Sequence, residues 1–281
     1  MKQIKTSSSN DQEFHNKKSR DSYSIIFYFV LSYVIFWGLG YFFSLIFAGI
    51  LHEDYNISIK IIVYILLILP GAGPFLSALI VIRITEGKVG LNNFIRHLIK
   101  VKVNFYWYLI VFIFPIIAYI IPKLFLLLMG NTIQEVFVDN ISWNISWIVI
   151  FNLSIAGIQE EPGWRGYAVP KLNLKFNPII TSFIIGVLWA FWHFNFYWSG
   201  VRSISSFPEF SFLVIILSFI YTWIYINTES ILLVIIFHAM HNLCAGIFTD
   251  FPGTFFIALV YLFFVIAILM KFSLKMQIKT K

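Results

Sequence analysis

The chain has 281 residues, of which 59% are hydrophobic, 20% aromatic and only 12% charged, with a formal net charge of +7. A mean hydropathy of +0.84 is more than a dissolved surface tolerates, which excludes a soluble globular protein. The basic residues flank apolar runs instead of gathering on one polar module, which argues against nucleic acid as a partner.

In chain order, residues 1–22 are polar and basic, and read as a disordered cytoplasmic tail. They lack the short apolar core and small-residue cleavage site of a signal peptide. Eight apolar segments follow, each long enough to cross a hydrocarbon core of ~30 Å as a helix: 24–50, 58–82, 105–129, 143–159, 178–198, 210–226, 230–248 and 254–271. Runs such as Ile61 to Leu69 and Ile231 to Phe237 are continuously apolar, where a spanning barrel strand would alternate. The fold class is therefore all-α, a polytopic transmembrane bundle of about eight spans. It is expected as a single membrane domain over 23–275, with the catalytic part at about 140–248. The 83–104 loop sets Ile95, Leu98 and Ile99 among Arg96, His97 and Lys100, and reads either as an amphipathic helix on the inner leaflet or as a solvated loop. The single cysteine, Cys244, excludes an intrachain disulfide and is expected to pack as a small apolar residue.

Charge orders the loops. The tail carries Lys2, Lys5, Lys17, Lys18 and Arg20, and the loop after the second span carries Arg83, Lys88, Arg96, Lys100 and Lys102. Arg165, Lys171 and Lys175 follow the fourth span, and Lys271, Lys275, Lys279 and Lys281 close the chain. These 17 of 20 cationic residues share one side, whereas the opposite loops carry Glu53, Asp54, Glu135, Asp139, Glu209 and Asp250, with Arg202 the clearest cation. Cytoplasmic flanks collect positive charge, so both termini are expected in the cytoplasm.

Three polar groups interrupt the spans, and an ionised residue at mid-bilayer costs about 2.5–3.5 kcal/mol unless it pairs, meets water or serves a function. The first is EEPGWRG at 160–166. Glu161 and Arg165 stand four apart on one helix face and are expected as a bidentate pair, which leaves Glu160 available as a general base. Pro162 predicts a kink or a helix start at that point. The second is His193, within WAFWHFNFYW at 189–198. The third is FHAMHN at 237–242, in which His238 and Asn242 lie one turn apart on a common face and His241 reads as support.

Glu-Glu-x-x-x-Arg, then aromatic-x-x-x-His, then His-x-x-x-Asn on successive spans resembles the CPBP family, the CAAX prenyl endopeptidases of the Ras-converting type and their bacterial Abi and lysostaphin-resistance-A-like relatives. Where that family usually has Phe four residues before the histidine, this chain has Trp189. The resemblance implies an intramembrane endopeptidase of glutamic type. Glu160 and His193 would activate a water, Glu161 and Arg165 would orient them, and His238 and Asn242 would form an oxyanion hole, in a cavity open to the inner side of the membrane. It further implies a peptide or membrane-protein substrate within the lipid bilayer of a bacterial plasma membrane, and a role in bacteriocin immunity or peptide processing. No cofactor is expected. A zinc-dependent version would draw its ligands from Glu160, His193 and His238, but the sequence has no His-Glu-x-x-His and a water held by Glu160 and His193 needs no metal. From other classes, a proton-coupled transporter and a non-catalytic immunity or scaffold protein remain alternatives. Transporters usually show matching halves, whereas the ionisable residues here gather in one half of the chain.

Overall fold

A computed structural model describes residues 23–47, 56–138, 155–248 and 253–279, and these are helical with no strand among them. Helix α1 spans Tyr23–Phe47, α2 Ile57–Thr85, α4 Phe105–Leu128, α6 Pro178–Trp198 and α7 Phe207–Thr228, the last led in by a 3-10 turn at Ile204–Ser206. These five are long and apolar enough to cross a membrane, and α8 (Ile231–Ile247) and the apolar part of α9 (Thr254–Lys279) add two shorter apolar helices. Helix α5 runs over 155–173, and a short helix α3, Gly87–Leu98, separates α2 from α4. The expected fourth span lies outside the described residues up to 154, as does the expected tail at 1–22.

The distribution of polarity is that of a protein solvated by lipid. Ile62, Leu124 and Phe125 are 58%, 48% and 49% exposed on their helices, while Glu161 and Arg165 are fully enclosed. Lipid tails are as apolar as leucine, so close backbone approach and internal hydrogen bonds hold such a bundle together. Both features are present. A Cβ at Gly163 would fall 2.3 Å from the Pro74 carbonyl oxygen and 2.6 Å from the Tyr28 hydroxyl, so glycine there lets α5 rest on α1 and α2. Helix α1 is tied to α6 by the Trp37 indole donating to the Trp192 carbonyl at 2.9 Å and by the Phe36 and Trp192 rings stacked at 3.8 Å.

Helices α7 and α8 form a tight hairpin. Glu229 takes the left-handed conformation (φ 51°), and the Ser230 hydroxyl then caps α8 by accepting from the Leu233 amide at 3.3 Å. Between α2 and α4 the structure takes the helical alternative, with a difference in which residues face inward. Phe94 is buried and Leu91 and Leu98 pack beside it, whereas Ile95 and Ile99 are 42% and 69% exposed. Position 94 falls three after 91 and four before 98, so these residues form one stripe. That stripe docks on the bundle itself, and Phe94 closes over Gly166 of α5.

Candidate active site

Helix α5 neither stops nor starts at Pro162. Glu161 keeps helical angles (φ −65°, ψ −34°) and the turn widens into a π-helix over Pro162–Ala168, closed by the Val169 amide donating to the Trp164 carbonyl. Proline has no N–H to give the preceding turn, and the wider turn absorbs that loss without breaking the helix, as π-bulges at functional sites often do. Consecutive helical residues point about 100° apart. The two glutamates accordingly face different neighbours.

Glu161 and Arg165 do meet, though by a different fork from the one expected. Arg165 Nη1 alone reaches both carboxylate oxygens, at 3.2 Å from Oε1 and 3.0 Å from Oε2. The flat guanidinium is wedged between two rings, with Cζ 4.6 Å from the Trp189 centroid and 4.7 Å from that of Tyr221. This wedging fixes its plane by cation–π contact and turns the second nitrogen away from Glu161. The Oε1 atom of Glu161 also accepts from Nδ1 of His238 at 2.8 Å, so one buried carboxylate holds a cation on its own helix and an imidazole on α8.

Glu160 points the other way, into a cavity of about 460 Å³ whose lining includes Trp189, His193, His238, His241 and Asn242. Its Oε2 accepts from the Trp189 indole N–H at 2.5 Å, and its Oε1 lies 4.0 Å from Nε2 of His193. On α6, His193 Nδ1 is 2.9 Å from the Trp189 carbonyl. A carbonyl only accepts, so Nδ1 carries the proton and Nε2 of the neutral ring offers a lone pair toward Glu160. Two acceptors 4.0 Å apart match the reach of one water donating both protons through bonds of ~2.8 Å.

His241 does two things, lining the cavity and placing Nδ1 3.1 Å from the Tyr261 hydroxyl of α9. Cys244 is buried among apolar side chains. The structure thus brings Glu160, His193, His238 and Asn242 to one cavity and sets Glu161 and Arg165 behind it. The roles of two participants were not legible in the sequence motifs. The Trp189 indole donor was concealed because the position reads simply as aromatic, and Tyr221 sits in a span without any motif.

Three helices delivering a carboxylate, an imidazole and a His/Asn pair to one buried cavity is a hydrolase-like arrangement, and comparison with known proteins agrees. A family model described as type II CAAX prenyl endopeptidase Rce1-like matches residues 142–244. The chain is also 29% identical over 262 residues to CAAX prenyl protease 2 of Methanococcus maripaludis, covering 88% of this chain and 92% of that protein. Over residues 142–244 the chain is similar to the Rce1-like family. With its long apolar helices, the protein is an integral membrane protein similar to a family of proteases.

Within the candidate site the donors left for a zinc ion are few. Nδ1 of His238 is engaged by Glu161 and Oε2 of Glu160 by Trp189, which leaves Glu160 Oε1, the two Nε2 atoms and whatever substrate or water joins them. Among the described residues no group of three or more His, Cys, Asp or Glu side chains converges tightly enough to be assigned as a metal centre.

Proposed function

We propose that this protein is an intramembrane endopeptidase that hydrolyses a peptide bond by direct attack of a water held between Glu160 and His193. The observation that carries this reading is the 4.0 Å separation of Glu160 Oε1 and His193 Nε2 across a cavity that His238 and Asn242 also line. Similarity to a family of proteases favours it over a transporter or a non-catalytic scaffold.

The steps use the chain's own groups. Glu160 takes a proton from the water while the His193 lone pair fixes the second hydrogen, and the nascent hydroxide attacks the scissile carbonyl carbon. The oxygen of that carbonyl gains charge and is met by the Asn242 amide and by Nε2 of His238. Because the Nδ1 proton of His238 is given to Glu161, Nε2 donates only when the ring is an imidazolium. Collapse of the tetrahedral intermediate returns the proton from Glu160 to the departing amine nitrogen and breaks the C–N bond.

Two experiments bear on this. Exhaustive chelation of divalent metal should leave cleavage by the purified protein in lipid intact, and loss of activity with restoration specifically by zinc would overturn the metal-free reading. Replacing Trp189 by Phe, which fills most of the same volume without an N–H, should lower kcat by about 10- to 100-fold. That range corresponds to about 1.5–3 kcal/mol for a hydrogen bond to a charged group. Unchanged kcat in a folded W189F protein would show that the indole does not position the base. The substrate is a peptide or membrane-protein segment, and by analogy with the named relative a lipidated C-terminal peptide is one class to test. Immunity to a bacteriocin is a biological setting in which such an activity would serve.

A further inference from the structure

The cavity that holds Glu160 and His193 contains a charge that the hydrolytic steps leave unused. Among the described residues that line it, Glu160 is the one carboxylate and Arg202 the one Lys or Arg. Arg202 lies on the 199–206 connection between α6 and α7, and that connection is held in place. The Arg202 amide donates to the Phe196 carbonyl at 2.9 Å, and the Ser206 hydroxyl donates to the Ser203 carbonyl at 2.8 Å. Among the described residues no carboxylate stands within ion-pair distance of the Arg202 guanidinium. Glu209, the acid closest to it in sequence, accepts instead from the Phe255 amide of α9 at 2.5 Å. Phe210 links the cation to the reacting end. Its ring centroid is 5.1 Å from that of the His193 imidazole and 5.8 Å from Cζ of Arg202. Those two legs leave room for no more than about three residues of extended chain, at ~3.3 Å each, between imidazole and guanidinium.

Resting on the hydrolase reading of this cavity, we propose that Arg202 selects the substrate: its guanidinium receives a carboxylate of the bound peptide, within about three residues of the bond that is cut. A guanidinium presents paired N–H donors that match the two oxygens of a carboxylate. Phe196, Tyr197 and Phe210 line the cavity beside it, so such a pair meets less competing water there than on an open surface. The Phe210 ring is within cation–π range and steadies the guanidinium. The two opposite charges also set direction. A carboxylate on a peptide is drawn toward Arg202 and repelled by the ionised Glu160, which places the anionic group at the Arg202 side and the scissile carbonyl beside His193. A peptide has two sources of this group, its free C-terminus and an Asp or Glu side chain.

The test uses the full chain in lipid nanodiscs and a synthetic library of random-sequence, N-palmitoylated peptides made in two forms, with a C-terminal acid and with a C-terminal amide. Mass spectrometry reads where each peptide is cut. If the terminal carboxylate is the ligand, the acid form is cut within about three residues of its end and the amide form about 10-fold or more less efficiently. If a side chain is the ligand, both forms are cut equally, within about three residues of an Asp or Glu. In either case Arg202→Gln should raise KM and lower kcat/KM for the preferred peptides by about 10- to 100-fold, the weight of a hydrogen bond to a charged group. The kcat should change little, and Arg202→Lys should recover part of the preference. Cuts placed without regard to any carboxylate overturn the proposal. So does an Arg202→Gln protein that slows on all peptides by one factor, as a guanidinium that only meets lipid phosphate would give. A second readout needs no turnover: the same library is retained on immobilised Glu160→Gln protein with and without Arg202→Gln. Enrichment of carboxylate-bearing peptides that depends on Arg202, beside a wild-type protein that cleaves none, would refute the hydrolase reading and leave the carboxylate site standing. Equal retention by the two proteins overturns the proposal.

Discussion

Glu160→Gln is expected to leave the protein folded and inserted while lowering cleavage by about 10²–10⁴-fold, the contribution of a well-placed general base. The amide retains the shape of the carboxylate and can still accept from the Trp189 indole through its oxygen, so the contact at 2.5 Å survives in kind. What it cannot do is take a proton. Its second terminus becomes an NH₂ facing Nε2 of His193, which would replace two acceptors by a donor and an acceptor that satisfy each other. A water would then have no reason to lie between them. Near-normal proteolysis by the purified variant would show that Glu160 is not the base, and peptides that accumulate in membranes carrying it would identify the substrate.

Arg165→Ala is expected to lower stability as well as activity. The guanidinium is fully enclosed, pairs with Glu161 at 3.0 Å and fills the slot between Trp189 and Tyr221. Removing one partner of a buried ion pair typically costs about 3–5 kcal/mol, because the other charge is left without compensation. Here the orphaned Glu161 would bear on His238 alone, and Trp189, with a cavity behind its ring, would lose the support that aims its N–H at Glu160. A depressed thermal midpoint together with weakened turnover is therefore the expected pair of results. Lost activity at an unchanged midpoint would instead place the arginine in direct contact with the substrate.

The parts of this molecule that the sequence discloses are those governed by periodicity and by the cost of charge in lipid. Uninterrupted apolar runs announce spanning helices, and α1, α2, α4, α6 and α7 emerge at nearly the expected limits. Glu160, His193 and Asn242 could be picked out because an ionisable or amide group in a hydrocarbon span demands a reason. Partner choice across helices is different, since it depends on how three segments pack. The link from Glu161 to His238 joins positions 77 residues apart, and no spacing rule connects them. Pro162 illustrates a local rule that packing overrode: it was expected to kink or begin a helix, and a π-helix carries the chain through. Trp189 shows the limit of treating residue classes as interchangeable, because an indole and a phenyl ring are equal in apolar bulk and unequal in having a proton to donate.

These features describe one device. Helix α5 presents two adjacent carboxylates to opposite tasks, with Glu161 locked among Arg165 and His238 and Glu160 turned to the cavity. On the proposed mechanism this division accounts for an acidic pair, rather than a single acid, interrupting the apolar spans at 160–161: one group would neutralise and orient, and the other would take part in the chemistry.

The central claim, that Glu160 and His193 share one water, is tested most directly by an experimental structure of the protein in lipid at a resolution that shows ordered solvent. The account predicts a single density peak within about 2.6–3.2 Å of both Glu160 Oε1 and His193 Nε2. It would be contradicted if those side chains stood beyond the reach of a common water, or if the peak lay at the ~2.0–2.2 Å of a zinc–ligand bond and gave a zinc anomalous signal.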